Sequence, residues 1–138
     1  MILCRLHSII NTVMIRNYIP SNVARMIFAA TLALFGIFHF LGAAKASGMV
    51  PSYLTFIPGE IWVYVTGLCL LAAAGAIVLE RQVKLACYLL ALMLFLFVLL
   101  VHAANLGDAE KGEMAMASIL KDMAMAMCAI LIGNDSEE

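Results

Sequence analysis

Read for apolar and polar positions, the chain is four long apolar stretches separated by short polar breaks. They run from about Val23 to Ala44, Ile61 to Leu79, Val83 to Asn105 and Met114 to Ile132, and the last is the least apolar. Each approaches the ~20 mainly apolar residues that a helix needs to cross a bilayer. Hydrocarbon offers backbone groups no partner, so a spanning segment pairs its own N–H and C=O groups as a helix. The pattern predicts an all-α fold, an integral membrane four-helix antiparallel bundle. No repeat on the order of 20–50 residues is evident, and the spans leave no room for a second domain. The expected organisation is an N-terminal segment over 1–22, a membrane domain over 23–132 and an acidic tail over 133–138.

The breaks refine this plan. Glu80-Arg81-Gln82 is so short that spans 2 and 3 must be antiparallel neighbours. The link between spans 1 and 2 carries Pro51 and Pro58-Gly59, and each proline pushes its predecessor toward extended geometry. Ser47 to Gly59 therefore reads as a non-helical segment. Its Tyr53 and Phe56, with nearby Trp62, suit a membrane–water interface. Gly107 to Gly112 forms the other link on that side. Residues before span 1 admit two readings. Ile2, Leu6, Ile9, Ile10, Val13 and Met14 roughly follow helical spacing, as in a helix lying on the membrane surface. Alternatively, translation starts at Met14 and leaves a compact basic leader. Ala44-Lys45-Ala46 resembles a signal-peptide cleavage site, but the apolar run from Met26 to Ala44 is long and contains His39, so span 1 reads as retained.

Composition narrows the class. Hydrophobic residues make up 65% of the 138 residues and charged residues 12%, about half the ~25% usual in soluble domains. A soluble domain this small could not cover its surface with so few charges. A net charge of -1 gives no basic footprint for nucleic acid. Arg5, Arg16, Arg25, Arg81 and Lys84 fall on one side of the spans. Lys45 and Lys111 fall on the other, with Lys121 displaced into span 4. This bias places both termini in the cytoplasm. Cys4, Cys69, Cys87 and Cys128 form no C-x-x-C pair and read as small buried hydrophobes.

Against this background the few polar residues inside the spans stand out. His39 lies five residues before the outer end of span 1, and His102 and Asn105 end span 3. Lys45 and Glu60 flank the first outer link. Lys121 and Asp122 lie seven to eight residues into span 4, roughly 10–12 Å below its outer end at about 1.5 Å per residue. His39, His102, Lys121 and Asp122 thus fall in the outer half of the bilayer and read as a ligand pocket or proton relay. Lys45, Glu60 and Asn105 read as supporting residues, explained by snorkelling or capping at the interface. Neighbours on a helix point about 100° apart, so Lys121 and Asp122 are not expected to face each other. Glu60 is the expected partner of Lys121, and His39 or His102 that of Asp122. Helix glue is the competing role for all of these groups.

Two histidines with Asp122 or Glu60 would suit zinc or iron, but no ligand spacing supports a site and Lys121 would repel a cation, so no metal is expected. Met114, Met116, Met123, Met125 and Met127 alternate with small residues and spread around the helix, as packing filler does. Ala29 with Ala33, and Ala72 with Ala76, have the small-xxx-small spacing of close helix contacts.

Several landmarks together resemble the DoxX family of small four-helix membrane proteins, over about Ile27 to Ile132. They are Phe38-His39-Phe40, Met49-Val50-Pro51, Ile57-Pro58-Gly59, Trp62-Val63-Tyr64-Val65-Thr66-Gly67, Val101-His102 and Leu120-Lys121-Asp122. The resemblance implies a four-helix bundle in the cytoplasmic membrane and a role near quinone redox chemistry, as an oxidoreductase subunit. It does not make the chain an enzyme. The sequence has no G-x-G-x-x-G for a flavin or nicotinamide and no C-x-x-C-H for haem. An electron carrier would then be a redox partner protein or the quinone itself. Three functions stay open: a quinone-associated redox subunit, a small transporter or lipophile-binding protein, and an assembly or scaffold subunit. A homodimer is compatible with each.

Overall fold

The computed structural model describes residues 20–54 and 56–136. The expectations for the N-terminal segment, its surface helix and the Met14 start, and for Glu137 and Glu138, fall outside these residues. Among the described residues, four long helices make up the fold: α1 (Ser21–Leu41), α2 (Gly59–Val78), α3 (Val83–Asn105) and α4 (Gly112–Asp135). All four are long and apolar enough to cross a membrane. The fold is an all-α four-helix bundle and the protein is a multi-pass membrane protein.

Helix ends follow local chemistry rather than the ends of the apolar runs. Pro20 and Pro58 precede α1 and α2 with extended ψ values of 136° and 132°. Proline has no N–H to lose at a helix start, and its φ is fixed near the value needed there. The Pro20 carbonyl accepts from the Val23 and Ala24 amides and so closes the first turn. The apolar run of span 1 reaches Ala44, yet α1 stops at Leu41, and a separate helical turn, Ala43–Ala46, follows Gly42. The apolar run of span 4 stops at Ile132, yet α4 continues to Asp135. Hydrogen bonding can carry a helix past its last apolar residue.

The α2–α3 turn is as tight as its length demands. The Arg81 amide bonds the Ala76 carbonyl and the Glu80 amide the Ile77 carbonyl. Glu80 sits at φ 51° and Gln82 at φ 55°. This is a Schellman-type helix end, with glutamate where glycine is usual.

The heaviest packing joins α1 to α2 and α3 to α4, and a lighter α2–α3 seam links the two hairpins. At the α1–α2 crossing, a Cβ on Gly36 would come within 2.8 Å of Leu71 Cγ and 3.0 Å of the Gly67 carbonyl oxygen. Only glycine lets the two backbones approach so closely. Leu32, Ile77, Val83 and Cys87 are the largest fully buried side chains. Leu41, Leu68, Leu79, Leu99 and Leu131 point outward and are well exposed. This apolar exterior suits lipid rather than water.

We call distal the end bearing the α1–α2 and α3–α4 connections. Its long link is not the wholly non-helical segment that the prolines predict, for it contains two 3₁₀ turns, Ser47–Met49 and Ser52–Leu54. Four side chain–backbone bonds tie it down. Trp62 Nε1 donates to the Leu54 carbonyl at 3.0 Å, Asn105 Nδ2 to Met49 at 3.1 Å and Lys111 Nζ to Gly48 at 3.1 Å, while the Tyr53 hydroxyl donates to Leu100.

Candidate functional site

Under the tied link lies a cavity of about 210 Å³. His39 of α1, His102 of α3, and Lys121 and Asp122 of α4 all line it. Most of the remaining wall is apolar, from Phe35, Leu70, Met93, Phe97 and Met125 among others. Met49, Val50 and Leu54 of the link supply part of the distal wall.

The backbone of α3 changes where it meets this cavity. Val98–His102 forms a π-helical turn. Such widened turns recur at functional sites because they re-aim side chains and disturb the regular carbonyl pairing. Two carbonyls of this turn take side-chain donors. Leu100 accepts from the Tyr53 hydroxyl, and Val101 from Asn105 Nδ2 at 2.7 Å.

His102 ends the π turn and faces α4. Its Nε2 lies 3.0 Å from Asp122 Oδ2, and Lys121 Nζ lies 3.1 Å from Asp122 Oδ1. The Asp122 side chain is only 3% exposed, whereas that of Lys121 is 40% exposed. A lone charge at membrane depth costs about 2.5–3.5 kcal/mol. Here each carboxylate oxygen has its own partner. Lys121 Nζ also stands 4.7 Å from the centre of the Phe35 ring, a cation–π contact that bridges α1 and α4.

Two sequence expectations need correction. Lys121 does not pair with Glu60, which is exposed in the first turn of α2. There its carboxylate favours the positive end of the helix dipole. Lys121 and Asp122 do meet, although their Cα–Cβ vectors diverge. The flexible lysine chain curls around the helix far enough to bring its ammonium back to the neighbouring carboxylate. Of the two partners expected for Asp122, His102 makes the contact. His39 instead binds within its own helix, its Nδ1 lying 2.7 Å from the Phe35 carbonyl. Among the supporting residues, Asn105 ties the link to α3, as above, and Lys45 is exposed outside the cavity.

The ring nitrogens can be assigned from these partners. An ionised carboxylate only accepts, so His102 Nε2 carries the hydrogen. A carbonyl only accepts, so His39 Nδ1 carries the hydrogen. On a neutral His102, Nδ1 is then a lone-pair acceptor. Among the described residues, it is the buried side-chain polar atom left without a hydrogen-bond partner.

Sequence reasoning missed Phe35, Thr66 and Ser118, which also line the cavity. Phe35 precedes His39 by four positions and Ser118 precedes Asp122 by four, so helical spacing could have found both. The Thr66 hydroxyl is occupied by the Trp62 carbonyl at 2.8 Å. Among the described residues, no group of three or more His, Cys, Asp or Glu side chains is placed to hold a metal ion.

Comparison with known proteins gives a family without an assigned activity. Residues 28–133 match a family model described as a domain of unknown function, DUF8561. No curated protein and no solved structure matches the chain. The matched region spans all the cavity-lining helices but for the first turns of α1 and the last of α4, and the chain belongs to the DUF8561 family.

Proposed function

We propose that this protein binds a membrane-resident lipophile with an oxygen-bearing ring headgroup, of the quinone class, as the ligand-holding subunit of a redox assembly. The observation that supports it is the meeting of His39, His102, Lys121 and Asp122, from three helices, on one cavity with otherwise largely apolar walls. A pocket of that kind fixes a ligand with a few placed polar groups and holds it by apolar contact. A cavity of about 150 Å³ accommodates benzene, so about 210 Å³ accommodates one substituted ring. A long apolar tail would extend into the bilayer. The DoxX resemblance supports the choice of a quinone. The arginine and lysine bias supports cytoplasmic termini, with the distal end outside, and the DoxX resemblance supports a bacterial cytoplasmic membrane. A redox partner protein supplies the electrons in this reading.

The test is purification from native membranes in mild detergent, followed by lipid extraction and mass spectrometry. A quinone at near-stoichiometric amount is expected, and its loss is expected in a folded Asp122→Ala variant. A well-folded wild-type protein free of quinone overturns the reading. It would leave the polar groups as helix glue.

A further inference from the structure

The polar groups of the cavity differ in what they have left to offer a guest. On neutral rings, His102 gives Nε2–H to Asp122 and His39 gives Nδ1–H to the Phe35 carbonyl. Neither histidine then keeps a hydrogen to donate. The Thr66 hydroxyl donates to its own helix. Both Asp122 oxygens are engaged, and that side chain is only 3% exposed.

Two donors on α4 remain. An ammonium carries three hydrogens. Lys121 Nζ spends one on Asp122 Oδ1 and has no other oxygen partner among the described residues. Its side chain lines the cavity and is 40% exposed. Ser118 lies on the same wall and is half-buried. A hydroxyl within a helix can close on the carbonyl four residues back, as Thr66 does. Ser118 makes no such bond, nor any other to the described residues. Three positions apart on α4, the serine and the lysine share one helix face. Hydrocarbon offers such donors no acceptor, whereas a ring oxygen does.

We infer that Ser118 and Lys121 are the groups that hold the ring ligand, both donating to its carbonyl oxygen, while His102 and Asp122 act through Lys121 by fixing its ammonium. The inference rests on the ring-binding reading above and adds Ser118 to the site.

Trp62, the one tryptophan of the chain, lines the cavity, and saturable quenching of its fluorescence reports occupancy. The full chain in phosphatidylcholine nanodiscs is titrated with tetramethylbenzoquinone, and thermal unfolding is read on the same samples. Ser118→Ala should weaken binding about threefold to tenfold, the worth of one neutral hydrogen bond, with the unfolding midpoint unchanged because Ser118 has no bond in the protein to lose. Lys121→Met is made on Asp122→Asn, which strands no carboxylate, and is compared with Asp122→Asn alone. Asp122→Asn should keep most of the affinity, since the amide oxygen still accepts from Lys121. Removing the lysine should then cost at least about tenfold, as for a charged donor. A merely structural role predicts instead that affinity follows the unfolding midpoint. Wild-type affinity in Ser118→Ala or in the double variant overturns the inference while leaving ring binding intact, and so does loss of binding in Asp122→Asn alone. No saturable response in the wild type overturns ring binding and the inference with it. Should the double variant fail to fold, Ser118→Ala decides alone.

Discussion

Gly36 and Gly67 face each other across the α1–α2 crossing, and each would place an added Cβ 3.0 Å from the other's carbonyl oxygen. On Gly67, that Cβ would also meet His39 Cβ at 3.1 Å and Phe40 Cε2 at 3.0 Å. Gly67→Ala must therefore push α1 away and shift a cavity histidine with it. Overpacking of this kind costs about 1–3 kcal/mol. At Gly75, by contrast, an added Cβ would have nothing within 4 Å. Gly75→Ala is expected to be neutral or to stabilise by up to about 1 kcal/mol through helix propensity. Thermal unfolding in detergent compares the two.

Lys121→Met leaves Asp122 buried with one partner instead of two. Breaking a fully buried pair costs about 3–5 kcal/mol. Lys121 is 40% exposed, so about 1–3 kcal/mol is expected here. Adding Asp122→Asn removes the stranded charge and should recover most of the loss. Adding Glu60→Gln should instead be additive with Lys121→Met, since Glu60 does not touch the lysine. A double-mutant cycle on unfolding free energies separates these outcomes.

Glu80 holds a left-handed backbone conformation at φ 51° in the α2–α3 turn. Glycine adopts that conformation without the Cβ clash that a side chain suffers there. Glu80→Gly is expected to stabilise the protein by about 0.5–1 kcal/mol, read as a higher unfolding midpoint.

The α3–α4 connection carries a pH response. The Glu110 and Lys111 amides donate to Asp108 Oδ1 at 2.9 and 3.1 Å. These bonds hold the Asp108 carboxyl below its ordinary value of 3.8. A depressed value means that the carboxylate's contribution is fully present above the ordinary value and is lost as pH falls through the lowered one. The amide proton shifts of Glu110 and Lys111 should therefore titrate together, with a midpoint below 3.8. Asp108→Asn should abolish that titration.

Asn105 joins the distal link to α3 through the Met49 and Val101 carbonyls. Asn105→Ala should speed amide hydrogen exchange in the link over residues 47–54 while leaving exchange in the middle of α1 and α2 unchanged.

The bundle was legible in the sequence because a bilayer permits so few alternatives. Apolar length alone placed all four helices, and the three-residue Glu80-Arg81-Gln82 break fixed the α2–α3 hairpin. The convergence of His39, His102, Lys121 and Asp122 on one cavity was legible too, because depth along a helix follows from residue count. Pairing was not. The partner of Lys121 depended on how a long side chain curls around α4, which spacing does not encode. The π turn that ends at His102 was equally hidden. Val98-Leu99-Leu100-Val101 is as apolar as any helical stretch, and the wider turn goes with partners that Tyr53 provides from the distal link and Asn105 from the next turn of α3.

If the cavity holds a membrane lipophile as proposed, the tied distal link has a consequence for how it fills. Tyr53, Trp62, Asn105 and Lys111 pin that link across the watery end. The half-exposed Lys121 and Phe35 stand where α1 meets α4 by side chains rather than by close backbone packing. A guest passing between those two helices comes from hydrocarbon, not from solution. Its occupancy then follows its mole fraction among the lipids. Diluting a proteoliposome sample with buffer leaves such a site as full as before, whereas fusing it with empty vesicles drains it.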